Sequence, residues 1–193
     1  VYGPKADVLK SDIQDLLESG VAIPRTEVVS TNTVTSETKF KGITEAVYSV
    51  ADGQAVSITE VKDPVFAQKM MGDGYAVEPV NGNVYAPVSG TVTSVFPTKH
   101  AVGILSDQGV EVLVHVGLDT VALNGAPFST KVADGQHVQA GDLLLVADLD
   151  AIRSADRETT IVVAFTNSAE IKSVSLVNLR QVSKDSQVAI VEL

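Results

Sequence analysis

The chain has 193 residues, 45% hydrophobic and only 5% aromatic, enough for one sizeable core. Its formal net charge of −10 sets it against nucleic-acid phosphates and favours a partner with a basic docking face. It contains no cysteine, which excludes disulfides, thiolate metal sites and a cysteine nucleophile and fits a reducing compartment.

No apolar run approaches the roughly 18 residues that a membrane span requires, and no signal-peptide pattern opens the chain. It begins at Val1 rather than Met, so the expectation is a piece of a longer protein. Residues 5–18 place Val8, Leu9, Ile13, Leu16 and Leu17 at helical spacing, which predicts a short amphipathic helix closed by Gly20. Residues 21–42 are rich in Ser, Thr and Glu without periodicity and read as a linker.

From Ile43 onward, short valine-rich runs alternate with Gly, Asp and Asn turn signals, the pattern of an antiparallel sandwich or barrel. Short helices are predicted at Pro64–Met71, Leu149–Ala155 and Ser168–Ile171. Between residues 110 and 116 the chain alternates strictly. Val110, Val112, Val114 and Val116 share one face; Glu111, Leu113 and His115 share the other. The valine face must be core, so His115 is expected on the outer, solvent-facing side beside Leu113. Pairing Leu105 with Val110 across the turn at Ser106–Gly109 sets His100 directly opposite His115, with Cβ atoms about 4.5–5.5 Å apart.

Two imidazoles so placed can share a phosphate, a metal or a proton. A neutral imidazole is a nucleophile at one ring nitrogen when the other carries a proton held by an acceptor. A second ring can donate to a phosphoryl oxygen, and Thr98, two residues before His100, can orient it. Gly117 is expected to let a partner's backbone approach and to free a carbonyl for the N–H of His115. Spacing alone leaves metal binding and phosphoryl transfer undecided. His137, between turn signals, reads as an exposed loop or strand-edge residue.

The stretch at residues 84–125, and above all LVHVGLDTV (113–121) with TKH (98–100), resembles the enzyme IIA domain of the glucose-family sugar phosphotransferase system. The runs at 63–79, 133–152 and 165–174 are similar to it in order and spacing, so the resemblance covers residues 43–193. It implies an all-β fold, a flattened antiparallel sandwich or barrel with a duplicated motif and a few short helices. It implies that His115 is phosphorylated, that His100 steadies the phosphoryl group and that Thr98 holds the His100 ring. It places Phe66, Met70, Met71, Phe96, Leu113 and Val121 in a hydrophobic docking ring and Asp119 at its rim.

The same resemblance implies HPr as phosphate donor and the cysteine of an enzyme IIB domain as recipient. Residues 1–20 are similar to the C-terminal end of a IIB domain. A fused permease is therefore implied, holding residues 43–193 in the cytoplasm at the inner face of the membrane. Zinc shared by His100, His115 and a partner's carboxylate is a theme of that family, although transfer requires no cofactor. A second reading makes the domain a regulatory module whose phosphorylation state governs docking to transporters or kinases. The HVGLD segment is also similar to one half of a lysostaphin-type zinc site, but the His-x-His that such peptidases add is absent.

Overall fold

A computed structural model describes residues 42–193. The helix expected at residues 5–18, the IIB-like segment at 1–20 and all but the last residue of the linker expected at 21–42 lie outside the described residues.

Among the described residues fourteen strands follow one another: β1 (Thr44–Tyr48), β2 (Gly53–Ser57), β3 (Asp73–Pro79), β4 (Asn83–Tyr85), β5 (Gly90–Val95), β6 (Ala101–Ser106) and β7 (Glu111–Val116), then β8 (Phe128–Thr130), β9 (His137–Val138), β10 (Leu143–Ala147), β11 (Ile161–Phe165), β12 (Ser173–Leu176), β13 (Gln181–Val182) and β14 (Gln187–Glu192). Every pairing among them is antiparallel. The large sheet runs β13-β2-β3-β11-β7-β6-β5-β9, and two three-stranded sheets run β1-β14-β12 and β4-β10-β8. All three contribute to one main core, and the Tyr75 hydroxyl donates to the Tyr48 carbonyl at 2.6 Å, tying the large sheet to the first small one. The all-β sandwich expected from the valine pattern is the observed architecture.

The large sheet buries apolar residues on both faces near its centre. On β11, Ile161, Val163 and Phe165 enter the main core, whereas Val162 and Ala164 enter a second, smaller cluster with Ile58, Val61, Phe66, Ala76 and Leu118. This two-sided burial is why the strand reads IVVAF with no polar interruption. The segment between β2 and β3 supplies the cover of the second cluster through a 3-10 turn, Ile58–Glu60, and helix α1 (Pro64–Ala67). Ser57 and Glu60 form a capping box on the first. Asp63 caps α1, and Pro64 occupies its first turn, where the missing N–H costs nothing.

Helix α1 stops four residues earlier than the predicted Met71, because Lys69 turns left-handed at φ 56° and the chain must reach β3. Helix α2 (Leu149–Ser154) matches its prediction closely, burying Leu149 and Ile152 beneath an Asp148 cap. The helix predicted at Ser168–Ile171 is a turn instead. Asn167 spends its side chain on the Gly109 carbonyl and Glu170, leaving one turn before β12 begins. The 3-10 helix Thr120–Leu123 was not anticipated.

Candidate functional site

The valine face of β7 is core, as its alternation requires: Val110, Val112, Val114 and Val116 are each at most 2% exposed. His115 points the other way. It pairs with Val162 of β11 on one side and Ala101 of β6 on the other, so it shares the face of the smaller cluster. The expected solvent exposure does not hold. His115 is 7% and His100 3% exposed, because Phe66 and Phe96 close over the pair. The period-two pattern gives the face but not what the 57–71 segment lays across it.

The expected register is also off by one. Ser106, not Leu105, pairs across the turn with Val110, and the Gly109 N–H donates back to the Ser106 carbonyl. Gly109 takes φ 100°, so the loop is the three-residue type that ends in a left-handed glycine. His115 consequently faces Ala101. His100 lies one residue before β6, where its carbonyl accepts the Val116 N–H at 2.7 Å. In a continued strand its ring would point into the core. Lys99, left-handed at φ 55° and bonded through its N–H to the Phe96 carbonyl, breaks the strand and turns the ring outward.

The two imidazoles therefore meet after all, edge to face, with ring centroids 4.9 Å apart and planes at 80°. Thr98 Oγ1 lies 2.6 Å from His100 Nδ1, the orienting bond that the sequence suggested. Phe66 packs on His115 at 5.1 Å and Phe96 on His100 at 5.6 Å between ring centroids.

Burial, and then the neighbouring His100, push the His115 pKa down to about 3, while the Gly117 carbonyl acts in the opposite sense. Nδ1 is fully buried and has no hydrogen-bond partner among the described residues. The ring is thus neutral near pH 7. Between pH 6.5 and about 3 the unfolded chain holds a proton on this ring that the folded chain does not. Stability should therefore fall as pH drops through that window, by up to about 1.4 kcal/mol per pH unit from this one group. Urea melts at pH 7, 6 and 5 should show a shallower loss for His115→Gln than for the wild type.

Gly117 does not present open backbone to a partner, contrary to expectation: the chain's own residues bury it. Its φ is +74°, and an added Cβ would lie 2.4 Å from Thr120 Cγ2 and 2.8 Å from the Glu158 carbonyl oxygen. Gly117→Ala should lower stability by about 3 kcal/mol, from the left-handed backbone and the overlap together, read from the urea midpoint.

The other expected docking residues divide by burial. Phe66, 2% exposed, is a wall of the histidine pocket rather than an open surface. Met70 is 59% exposed on the turn after α1, and Met71 packs half-buried against the smaller cluster. Phe96, Leu113 and Val121 are half-buried, and Asp119 is exposed at the start of the 3-10 helix with φ 58°. His137 is remote from this chemistry: its Nε2 lies 3.0 Å from an Asp107 oxygen in an exposed pair.

A resident zinc does not fit the described residues. A zinc site of this chain alone needs at least three protein ligands, and no group of three His, Cys, Asp or Glu side chains converges among them. Nδ1 of His100 is engaged by Thr98 and Nδ1 of His115 is buried, which leaves at most one nitrogen from each ring.

Comparison with known proteins bears on this pair. Residues 45–171 match the family model of the phosphoenolpyruvate-dependent sugar phosphotransferase system, EIIA 1. A glucose-specific EIICBA component of the phosphotransferase system from Streptococcus pneumoniae is 62% identical over 100% of this chain and 27% of its own length. The glucosamine-specific EIICBA component of Bacillus subtilis is 42% identical over 88% of this chain and 26% of its own length. The solved glucose permease IIA from Mycoplasma capricolum superposes with a TM-score of 0.70 at 38% identity, covering 77% of this chain and 96% of that one. The chain spans about a quarter of the length of the curated relatives it matches. None of these matches favours the purely regulatory reading.

Proposed function

The chain belongs to the EIIA 1 family of the phosphoenolpyruvate-dependent sugar phosphotransferase system, and on that premise we propose that His115 is the group through which it carries phosphate. The observation that carries this reading is the pair of imidazoles, 4.9 Å apart between centroids, with Nδ1 of His100 held at Thr98 and Nδ1 of His115 buried. With a proton on Nδ1 of His115, beside the Gly117 carbonyl, the lone pair lies on Nε2. With Thr98 donating to Nδ1 of His100, that ring carries its proton on Nε2 and donates to the phosphoryl oxygens.

The donor is phospho-HPr. Nε2 of His115 attacks its phosphorus, the new N–P bond forms as the donor's own N–P bond breaks, and the HPr imidazole leaves. In the second step an enzyme IIB thiolate attacks the same phosphorus, an S–P bond forms and His115 returns to the neutral ring. Phe66 and Phe96 keep water from the phosphoryl group during both steps. Leu113, Met70, Met71 and Val121 give the apolar rim on which both partners dock, with Asp119 offered to a basic residue.

The relatives' names, each an EIICBA component, support EIIB as recipient and a fused permease as the setting; the proposal sets this domain at the inner face of the membrane. Relatives named for glucose and for glucosamine match the same chain, so the proposed relay is common to both sugars. Among the described residues no helix is long and apolar enough to cross a membrane. Zinc, if it binds, bridges His100 and His115 only with a partner's carboxylate, and no step of the relay uses it.

The reading is tested by incubating the chain with enzyme I, HPr and phosphoenolpyruvate. The expected product carries one acid-labile phosphate that a IIB domain removes. A chain that stays unmodified while HPr is fully phosphorylated overturns the reading.

A further inference from the structure

The paired imidazoles must receive a charged group through an acidic surface. A phosphoryl group carries about two negative charges, and this chain carries a net −10. The overall field therefore favours a basic donor but opposes the phosphate that it brings. A preference for a loaded donor over an empty one has to come from local charge.

Lysines stand on both segments that enclose the pair. Lys62 and Lys69 lie on the cover between β2 and β3, and each is engaged by a carboxylate. Lys62 Nζ lies 2.7 Å from Glu158 Oε1, and Lys69 Nζ lies 2.8 Å from Asp73 Oδ2. Lys99 lies on the turn that carries the other wall, between Thr98 and His100. Its N–H donates to the Phe96 carbonyl at 2.7 Å, and the Phe96 ring packs on His100. The Lys99 side chain is exposed and makes no ion pair or hydrogen bond among the described residues.

The backbone does not call for a lysine here. Lys99 is left-handed at φ 55°, a conformation that strains a residue with a Cβ and that Gly, Asn and Asp tolerate best. Among the described residues five non-glycine positions are left-handed, and three of them are Asp119, Asn124 and Asp156. The fourth, Lys69, holds Asp73. An asparagine at position 99 would turn the His100 ring outward with less strain. What lysine adds is a mobile positive charge one residue from the imidazole pair.

We propose that Lys99 selects the phosphorylated donor over the unphosphorylated one, its ammonium meeting the phosphoryl group as it enters between His100 and His115. The inference rests on the reading above, in which His115 takes phosphate from phospho-HPr. A flexible lysine stem needs no fixed geometry for this, since the ammonium acts as a point charge that follows the group inward. To a donor without phosphate the same charge presents only repulsion, because the partner suited to this acidic chain has a basic docking face. One cation thus acts in opposite directions on the two forms of the donor.

Equilibrium binding to the His115→Gln chain reads both forms of HPr without turnover. Adding Lys99→Gln keeps most of the stem and removes the charge. It should weaken phospho-HPr and tighten unphosphorylated HPr, shifting the ratio of their dissociation constants about three-fold at low ionic strength, the order expected of one exposed charge. The shift should vanish at about 0.5 M salt, where screening cuts in over a few ångströms. Lys99→Arg should keep the original ratio. Lys99→Asn suits the left-handed backbone, so it should shift the ratio as Lys99→Gln does while the urea midpoint does not fall. Lost selectivity in a chain at least as stable cannot come from a damaged turn. If Lys99→Gln does not fold, Lys99→Asn decides in its place. An unchanged ratio in a folded variant without the charge, or an equal shift in Lys99→Arg, overturns the proposal. Phosphate that appears on the His115→Gln chain would instead overturn the reading beneath it, and the proposal with it.

Discussion

His115→Gln should take up no acid-labile phosphate from phospho-HPr, whatever the incubation time. Glutamine is close to imidazole in size and keeps a polar group against the Gly117 carbonyl, so the Phe66 contact and the fold are retained. It has no lone pair on nitrogen that can attack phosphorus, and removal of a nucleophile is not compensated by its surroundings. Of the other two histidines, His100 has its Nδ1 committed to Thr98 and His137 is paired with Asp107 at an exposed edge. Intact-mass measurement under alkaline conditions reads the result, with a urea melt at pH 7 to verify folding. Phosphate that persists in the folded variant would move the acceptor to another residue and undo the assignment. Loss of uptake in a folded variant, with HPr binding retained, is the result that the buried neutral ring leads us to expect.

The sequence carried the face of His115, because period-two alternation over Val110–Val116 admits one core side. It also carried the meeting of the His100 and His115 rings and the Thr98 bond, though not the register, which sets Ala101 opposite His115. The route to that meeting was less legible. A count across the hairpin assumes a regular loop, and the left-handed Gly109 removes one residue from it. The left-handed Lys99 then restores the meeting of the rings, and nothing in the letters TKH marks that residue as the pivot. Burial was misread for a different reason. Phe66 lies 49 positions upstream of His115 and reaches it only through the cover between β2 and β3, a long-range contact that no local pattern encodes.

His100→Gln should separate the two halves of the relay. The first transfer needs a nucleophile, and His115 supplies it without help from the second ring. Uptake from phospho-HPr should therefore stay within about ten-fold of wild type. The second transfer needs charge to be drawn from the phosphoryl oxygens while the bond to His115 stretches, and the ring held 4.9 Å away between centroids is placed to do that. Release to a IIB thiol should fall about 10²-fold, the usual loss when one fixed donor to a transition-state oxygen is removed. Glutamine also carries an N–H, but Thr98 no longer has a ring nitrogen to hold, so the donor loses its fixed direction. Thr98→Val should produce a smaller effect of the same kind, about ten-fold on release, because the ring remains and only its orientation is loosened. Rapid-quench measurement of both half-reactions decides the matter. Equal slowing of both would make His100 a structural neighbour rather than a participant, and unchanged release would remove it from the chemistry altogether. A selective loss at release would identify His100 as the donor that makes the carried phosphate leave.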